Sequence, residues 1–402
     1  LQVYCEEVFT TKDTKSTKFG VLIIRNLRVL RALRGEQNQG DSARLSTGKL
    51  EEQNFKGNNL NMAESNKDEL SPRPLMRILG DFANSQILDA ALEYDFFTLI
   101  HQGAHTAEEV ARAAGTDVRA TRIVLDSLPA LSLIEKRDGQ YALTPTAEVF
   151  LVKGKPSYCG DFRHVALALW DGMAHLKDSL KTGKPVSRMD TNAELQVWEK
   201  LVLGIIVIAE PAAKALCDIL KIGSERKGMR VLDIAGGSSI FGMTIVTRDP
   251  TAQVTQLDWP NVNAVAQKAN KERGLEGKIR FIDGEHHTAT IETNHYDLVL
   301  ASNFCRFESP KGNQELFAKA YSALKSGGIF MVNDFVPNEE RTEPTFALRF
   351  SVYTLTHTPE GECWTLSQYC DWLKKAGFAA IETHGDIPKT LPGTTLIVAT
   401  KS

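Results

Sequence analysis

The chain has no long apolar run, no clustered cysteines and no surplus of charge of either sign. At 402 residues and a formal net charge of -3, it lacks the basic balance that a polyelectrolyte demands, so nucleic acid is not an expected partner. No stretch reaches the roughly 20 apolar residues of a membrane-spanning helix. Leu201 to Ala209 is apolar but is followed by Glu210 and Pro211, and reads as a buried helix. The six cysteines, Cys5, Cys159, Cys217, Cys305, Cys363 and Cys370, show no C-x-x-C spacing. That argues against a zinc site and a disulfide frame and for reduced thiols in a cytoplasmic protein. A G-x-G-x-x-G turn is also missing, which argues against a dinucleotide pyrophosphate site.

The chain does hold another nucleoside-pocket pattern. Residues 231–242 read V-L-D-I-A-G-G-S-S-I-F-G, and residues 254–258 read V-T-Q-L-D. One apolar run ends at Asp233, Gly236 and Gly237 follow, and a second short run ends at Asp258. Two adjacent glycines let backbone approach a ligand where a Cβ would intrude. The helix that starts there aims unpaired N–H groups at the ligand. Asp258, at a strand tip, is placed to accept hydrogen bonds from both ribose hydroxyls. A D-x-[GA]-G-x-[GS] turn suits S-adenosylmethionine, whose amino-acid tail needs less anion-binding room than a pyrophosphate.

Four regions follow from the pattern. Residues 1–61 are rich in Lys, Thr, Asn, Gln, Gly and Ser, with one apolar piece at 19–34. That piece fits a basic amphipathic or targeting segment. Met62, however, is the first methionine and stands just before the globular pattern, so the region is expected to be an extension without a fixed fold. Residues 62–155 begin with Leu75, Ile78, Leu79 and Phe82, then Ile87, Leu88, Ala91 and Leu92, at helical spacing. Thr106 and Glu109 form a capping box before a helix to Ala114, and a second helix spans 119–131. Residues 133–143 then read strand, Asp-Gly turn, strand. This is a winged-helix outline. Its second helix mixes Arg119 and Arg122 with Asp117 and Asp126 around an apolar face. The outline therefore predicts dimerisation with a second copy and not DNA reading.

Residues 156–221 read as all helix, over 162–169, 173–181, 194–207 and 211–220. His164, Trp170, Met173 and Trp198 fall here and suggest an aromatic-lined substrate-pocket wall. Over 222–402, strands expected at 230–234, 253–258, 279–283, 296–301, 328–334, 379–384 and 394–400 alternate with helices. The fold class is thus an α/β Rossmann-like domain preceded by a mainly α winged-helix dimerisation domain.

Eight short pieces add a resemblance: YALTP at 141–145, GDF at 160–162, WEK at 198–200, LDIAGGS at 232–238, LDWP at 257–260, YDLVLASN at 296–303, ALKSGG at 323–328 and AGF at 376–378. From about Leu70 onward the chain resembles the small-molecule S-adenosylmethionine-dependent O-methyltransferases of the caffeate, acetylserotonin and hydroxyneurosporene type, bacterial branch. The resemblance implies a homodimer through the N-terminal domain and a small-molecule acceptor bound between the helical linker and the α/β domain. It places Asp233, Gly236 and Gly237 on the amino-acid and ribose side of the cofactor and Asp258 on the ribose hydroxyls. Glu285 falls where an acid meets the adenine amino group, and Ser302 and Asn303 fall beside the sulfonium.

One departure stands out. The family usually carries a His base just after the fourth strand, and here Arg306 takes that position. Arginine stays protonated and cannot act as a general base. Three accounts remain open. Arg306 could hold an acceptor already ionised; His357, Glu362 or His164 could serve as base; or methyl transfer could be lost. His286, His287 and His295 have no neighbouring acids or cysteines at metal spacing, so no metal is expected. The function expected is methyl transfer to an oxygen of an aromatic or polyketide-like molecule. The alternatives are a C- or N-methyltransferase and a cofactor-binding winged-helix regulator.

Overall fold

The computed structural model describes residues 70–155, 157–186 and 196–402. The extension expected over residues 1–61 lies outside these. Helices Arg73–Gly80, Phe82–Glu93, Phe96–His101, Ala107–Ala114 and Val118–Ser127 precede an antiparallel hairpin of β1 (Ile134–Arg137) and β2 (Gln140–Leu143). The Thr106 capping box forms, with Glu109 accepting from the Thr106 N–H at 2.9 Å. Asp138 and Gly139 take φ of 50° and 79°, the two positive values of a type I′ turn. The second helix ends at Ser127 and not at Leu131, and Leu128–Leu131 tighten into a 3-10 turn around Pro129, which cannot supply the next helical N–H. Phe97, Val110, Leu125, Leu128, Ile134 and Tyr141 form the core of this part. Asp126 takes Arg122, Lys136 and the Tyr141 hydroxyl together, so two cations of the winged-helix outline are paired within the domain.

The linker helices are Arg163–Ala174, Leu176–Thr182, Gln196–Gly204 and Ile206–Ile219. The break expected around Pro211 moves to Ile205, and Pro211 lies inside a helix. An internal proline costs about 3 kcal/mol. Burial of Ala209, Ala212, Ala213, Leu216 and Cys217 against the neighbouring core offsets it. Gly204, which ends the helix before that break, lies against the Asp161 carbonyl, where a Cβ would come within 2.7 Å.

The C-terminal part is a seven-stranded sheet in the order β5-β4-β3-β6-β7-β9-β8. Its strands are β3 (Arg230–Ile234), β4 (Gln253–Asp258), β5 (Ile279–Asp283), β6 (Tyr296–Ser302), β7 (Leu324–Phe335), β8 (Ala380–His384) and β9 (Thr394–Thr400). β9 runs antiparallel to β7 and β8, and β3 to β7 are parallel. Alternate side chains build two cores. Val231, Val254, Leu298, Leu300 and Met331 face the helices Ile206–Ile219 and Ile240–Arg248. Leu232, Ile234, Val299, Ala301 and Phe330 face Pro310–Ala323 and Leu366–Ala376. The strand order reverses between β3 and β6, which opens a crevice at the carboxyl ends of these strands, where doubly wound sheets take ligands.

Candidate active site

The crevice is built first from backbone. Ala235, Gly237 and Ser239 sit at φ of 52°, 58° and 69°, a left-handed run that strains the two residues with a Cβ. A Cβ on Gly236 would meet Gln256 Oε1 at 2.6 Å and Asp233 Cγ at 2.9 Å. Buried amides lock the turn: Ser239 Oγ donates to Gln256 Oε1 at 2.5 Å, and Gln256 Nε2 donates to the Gly237 carbonyl and Asn263 Oδ1, both at 3.1 Å. Asn263 in turn donates to the Ile282 carbonyl and Asp283 Oδ1. This ladder was not legible in advance, because lone Gln and Asn on amphipathic elements look like surface residues.

Two strand-end acids meet the turn. Asp258 accepts from the Gly237 N–H at 2.8 Å on one oxygen and from the Trp259 N–H at 2.7 Å on the other. Each oxygen keeps lone-pair capacity for a further donor. Burial pushes its carboxyl up to about 6, against the pull of those two N–H groups and of His286. Asp233 is fully buried under Gly236, with no hydrogen-bond partner for either oxygen among the described residues. Burial and the Asp258 charge raise it to about 8. An orphaned buried carboxyl beside a glycine turn fits a ligand that brings a cation.

The space above the turn is a cleft of about 800 Å³. Of the expected residues, Gly237, Asp258, Ser302, Asn303, Arg306 and Trp198 line it, whereas Asp233 and Gly236 do not, Asp233 being buried beneath the turn. Asn303, at φ 60°, turns the chain out of β6, and Ser302 Oγ accepts from the amides of Asn303 and Asn333, both at 3.1 Å. Trp198 stands edge-on to Trp259 and Phe307, with centroids 5.9 and 5.8 Å apart, so three aromatic rings close one wall.

Several expectations need correction. Glu285 does not line this cleft. Its carboxylate accepts from the N–H groups of His287 and Thr288, capping its own turn, and it borders an outer recess with Trp259 and His287. His357 is 1 % exposed and held by the Tyr353 carbonyl and Thr356 hydroxyl, each at 2.8 Å. Its ring packs so close to Gly172 that a Cβ there would lie 2.3 Å from His357 Cε1, so it has no route to a reacting atom. Trp170 lines a separate recess with Leu92 and Leu167. His164 and Met173, on the same helix, do not line the cleft. Glu362 pairs with Arg341 at 2.5 Å, away from it.

Arg306 does face the cleft, but as half of an ion pair. It is 4 % exposed. Its Nη1 meets Asp334 Oδ1 at 2.5 Å and its backbone N–H meets Oδ2 at 3.0 Å. The guanidinium is ringed by Phe350, Phe335 and Phe307, with centroids at 4.4, 4.6 and 5.0 Å. Tyr369 donates its hydroxyl to the same carboxylate. Asp334 went unread in the sequence, although it repeats the signal of Asp233 and Asp258: an acid ending an apolar strand. The cleft also takes His286 and Glu308 into its wall, 3.0 Å apart. Here the expectation from spacing fails, because the acid beside the histidines arrives from a loop 22 residues later.

Comparison with known proteins fits this geometry. Residues 76–153 match the O-methyltransferase dimerisation domain, and residues 217–379 match the O-methyltransferase domain. The chain belongs to the S-adenosylmethionine-dependent O-methyltransferases. It is 28% identical to a 3-hydroxy-5-methyl-1-naphthoate 3-O-methyltransferase from Streptomyces sahachiroi over 74% of this chain and 87% of that one. It is 26% identical to an L-tyrosine C(3)-methyltransferase from Streptomyces lavendulae over 83% and 94%. Among solved structures, a candidate O-methyltransferase from Nostoc punctiforme superposes with a TM-score of 0.76 at 27% identity, over 83% of this chain and all of that one. The methyltransferase scaffold therefore carries the cleft, and the dimerisation match covers the winged-helix part. No helix among the described residues is long and apolar enough to cross a membrane.

Proposed function

We propose that the protein transfers the methyl group of S-adenosylmethionine to an oxygen of a small, acidic aromatic or polyketide-like acceptor. The carrying observation is the pairing of the Gly236-Gly237 turn with Asp258, whose free lone pairs face a cleft walled by Trp198, Trp259 and Phe307. In this reading Asp258 takes the ribose hydroxyls and Asp233 answers the ammonium of the amino-acid tail across the glycine turn. Ser302 and Asn303 border the reacting centre. The bound cofactor supplies an electrophilic methyl on a good leaving group. The residues contribute alignment and exclusion of water, which is how positioned groups lower the barrier of a displacement.

Arg306 has a different part from the one its position first suggests. Paired with Asp334 and boxed by three phenyl rings, it presents an almost neutralised plane to the cleft. The histidine that lines the cleft, His286, is engaged with Glu308. An acceptor hydroxyl acidic enough to ionise in water suits such a site, and the first relative's name gives that protein a hydroxylated aromatic acid as acceptor. The L-tyrosine C(3)-methyltransferase supports a second reading, transfer to carbon on the same scaffold. The test is incubation with methyl-labelled cofactor and a panel of phenols, enolic polyketides and carboxylates, followed by fragmentation of the product. Label on oxygen of an acidic phenol or enol is the expected result, label on carbon favours the second reading, and no label in any acceptor contradicts both. The protein is further proposed to act as a homodimer through the helices before the hairpin.

A further inference from the structure

One group of side chains has no part in that reading as stated. Glu285, His286 and His287 follow β5, and each offers a ligand atom within 4.8 Å of the others'. Glu308 comes from the loop after β6. It places one oxygen 3.0 Å from His286 Nε2 and the other 2.9 Å from His287 Nε2, while His286 Nδ1 stands 3.5 Å from Glu285 Oε1. We propose that His286, His287 and Glu308, with Glu285 beside them, form a binding site for a first-row divalent transition metal on the wall of the cleft.

Charge and distance carry the inference. With neutral imidazoles the group holds two carboxylates, and the neighbouring cation, Lys319, donates to the His286 and His287 carbonyls and to neither carboxylate, in a place where Glu308 and His286 side chains are each only 12% exposed. A carboxylate removed from water needs a compensating cation. One divalent ion supplies it at a single point, and neutral imidazole with carboxylate is the donor set that zinc, iron, nickel and copper prefer. In tetrahedral zinc sites with bonds of about 2.0–2.1 Å, neighbouring ligand atoms lie roughly 3.3 Å apart. The present N···O separations of 3.0 and 2.9 Å need to open by only a few tenths of an ångström to admit an ion.

The supports are already in place. Phe304 stands edge-on to His286 with centroids 4.9 Å apart and fixes its plane. Lys319 Nζ donates to the carbonyls of His286 and His287 at 2.6 and 3.1 Å, tying the loop that bears both rings to the helix Pro310–Ala323. Such outer contacts orient ligands before an ion arrives.

The test is a titration of the metal-stripped full chain, without cofactor, using Zn²⁺ by calorimetry and Co²⁺ by visible absorption. The expected result is one ion per chain and the intense Co²⁺ bands of a low-coordinate site. His287→Ala, a residue that does not line the cleft, should weaken binding by more than about 100-fold, the upper end for loss of an outer contact alone. Its thermal melt, compared with that of the parent, shows whether it is folded. Absence of saturable binding to the parent chain overturns the proposal. So does binding that a folded His287→Ala retains unchanged, which would mark an adventitious ion elsewhere. Because no cofactor is present, either failure leaves the methyl-transfer reading untouched.

Discussion

Arg306 shows how a single residue can mislead when its partner is out of sight. In sequence it stands at the position of a missing base. In the fold its cation is committed to Asp334, which is wholly buried. Removing one member of a buried ion pair leaves the other charge uncompensated, at a cost of about 3–5 kcal/mol. Arg306→Met is therefore expected to lower the unfolding free energy by about that amount in urea titration. If Arg306 instead serves as a free anchor for an anionic acceptor, the variant will keep its stability and raise the acceptor KM. Asp233, Gly236, Gly237 and Asp258 were legible in advance because their chemistry is local: a turn needing no Cβ, and acids ending apolar runs. Asp334, Glu308 and the Gln256–Asn263 ladder were not, since each acquires its role from a residue on another element. His357 failed for the converse reason. A histidine at a helix end looks accessible in sequence, and only packing against Gly172 shows that it is core.

Among the elements, most strands were read to within a residue, because a parallel sheet covered on both faces writes near-continuous apolar runs, while β7 begins at Leu324, four residues before the expected 328. Helix ends were read less well. Pro211 marks a break by propensity, yet the buried small residues after it keep the helix whole. The helix Arg73–Gly80 shows the other side of this contest. Its apolar residues recur at helical spacing, yet Leu75, Ile78 and Leu79 are 62%, 58% and 71% exposed, and Phe82 just beyond is 62% exposed. A monomer rarely leaves such a contiguous patch open to water, and the patch falls within or beside the matched dimerisation domain. Leu75→Glu with Leu79→Glu should shift the protein from two chains to one in light scattering. A double variant that stays dimeric would place the interface elsewhere.

At the scale of the whole molecule, a glycine turn at the reversal of strand order meets a cleft wall drawn from the linker, β4 and the loop after β6. This crevice is proposed to hold the nucleoside and the ammonium of the methyl donor. With Asp233 raised to about 8 by burial, the free protein keeps a proton there at neutral pH. An incoming ammonium favours the carboxylate, so binding should release that proton. The deciding measurement is calorimetry with S-adenosylhomocysteine at about pH 6.5, below the titration of an α-amino group, in two buffers of different ionisation enthalpy. The prediction is one site per chain, net proton release, and binding weakened about 10- to 100-fold in Asp258→Ala through loss of charge-assisted hydrogen bonds. No heat with the folded parent chain, or an affinity that Asp258→Ala leaves unchanged, would contradict it.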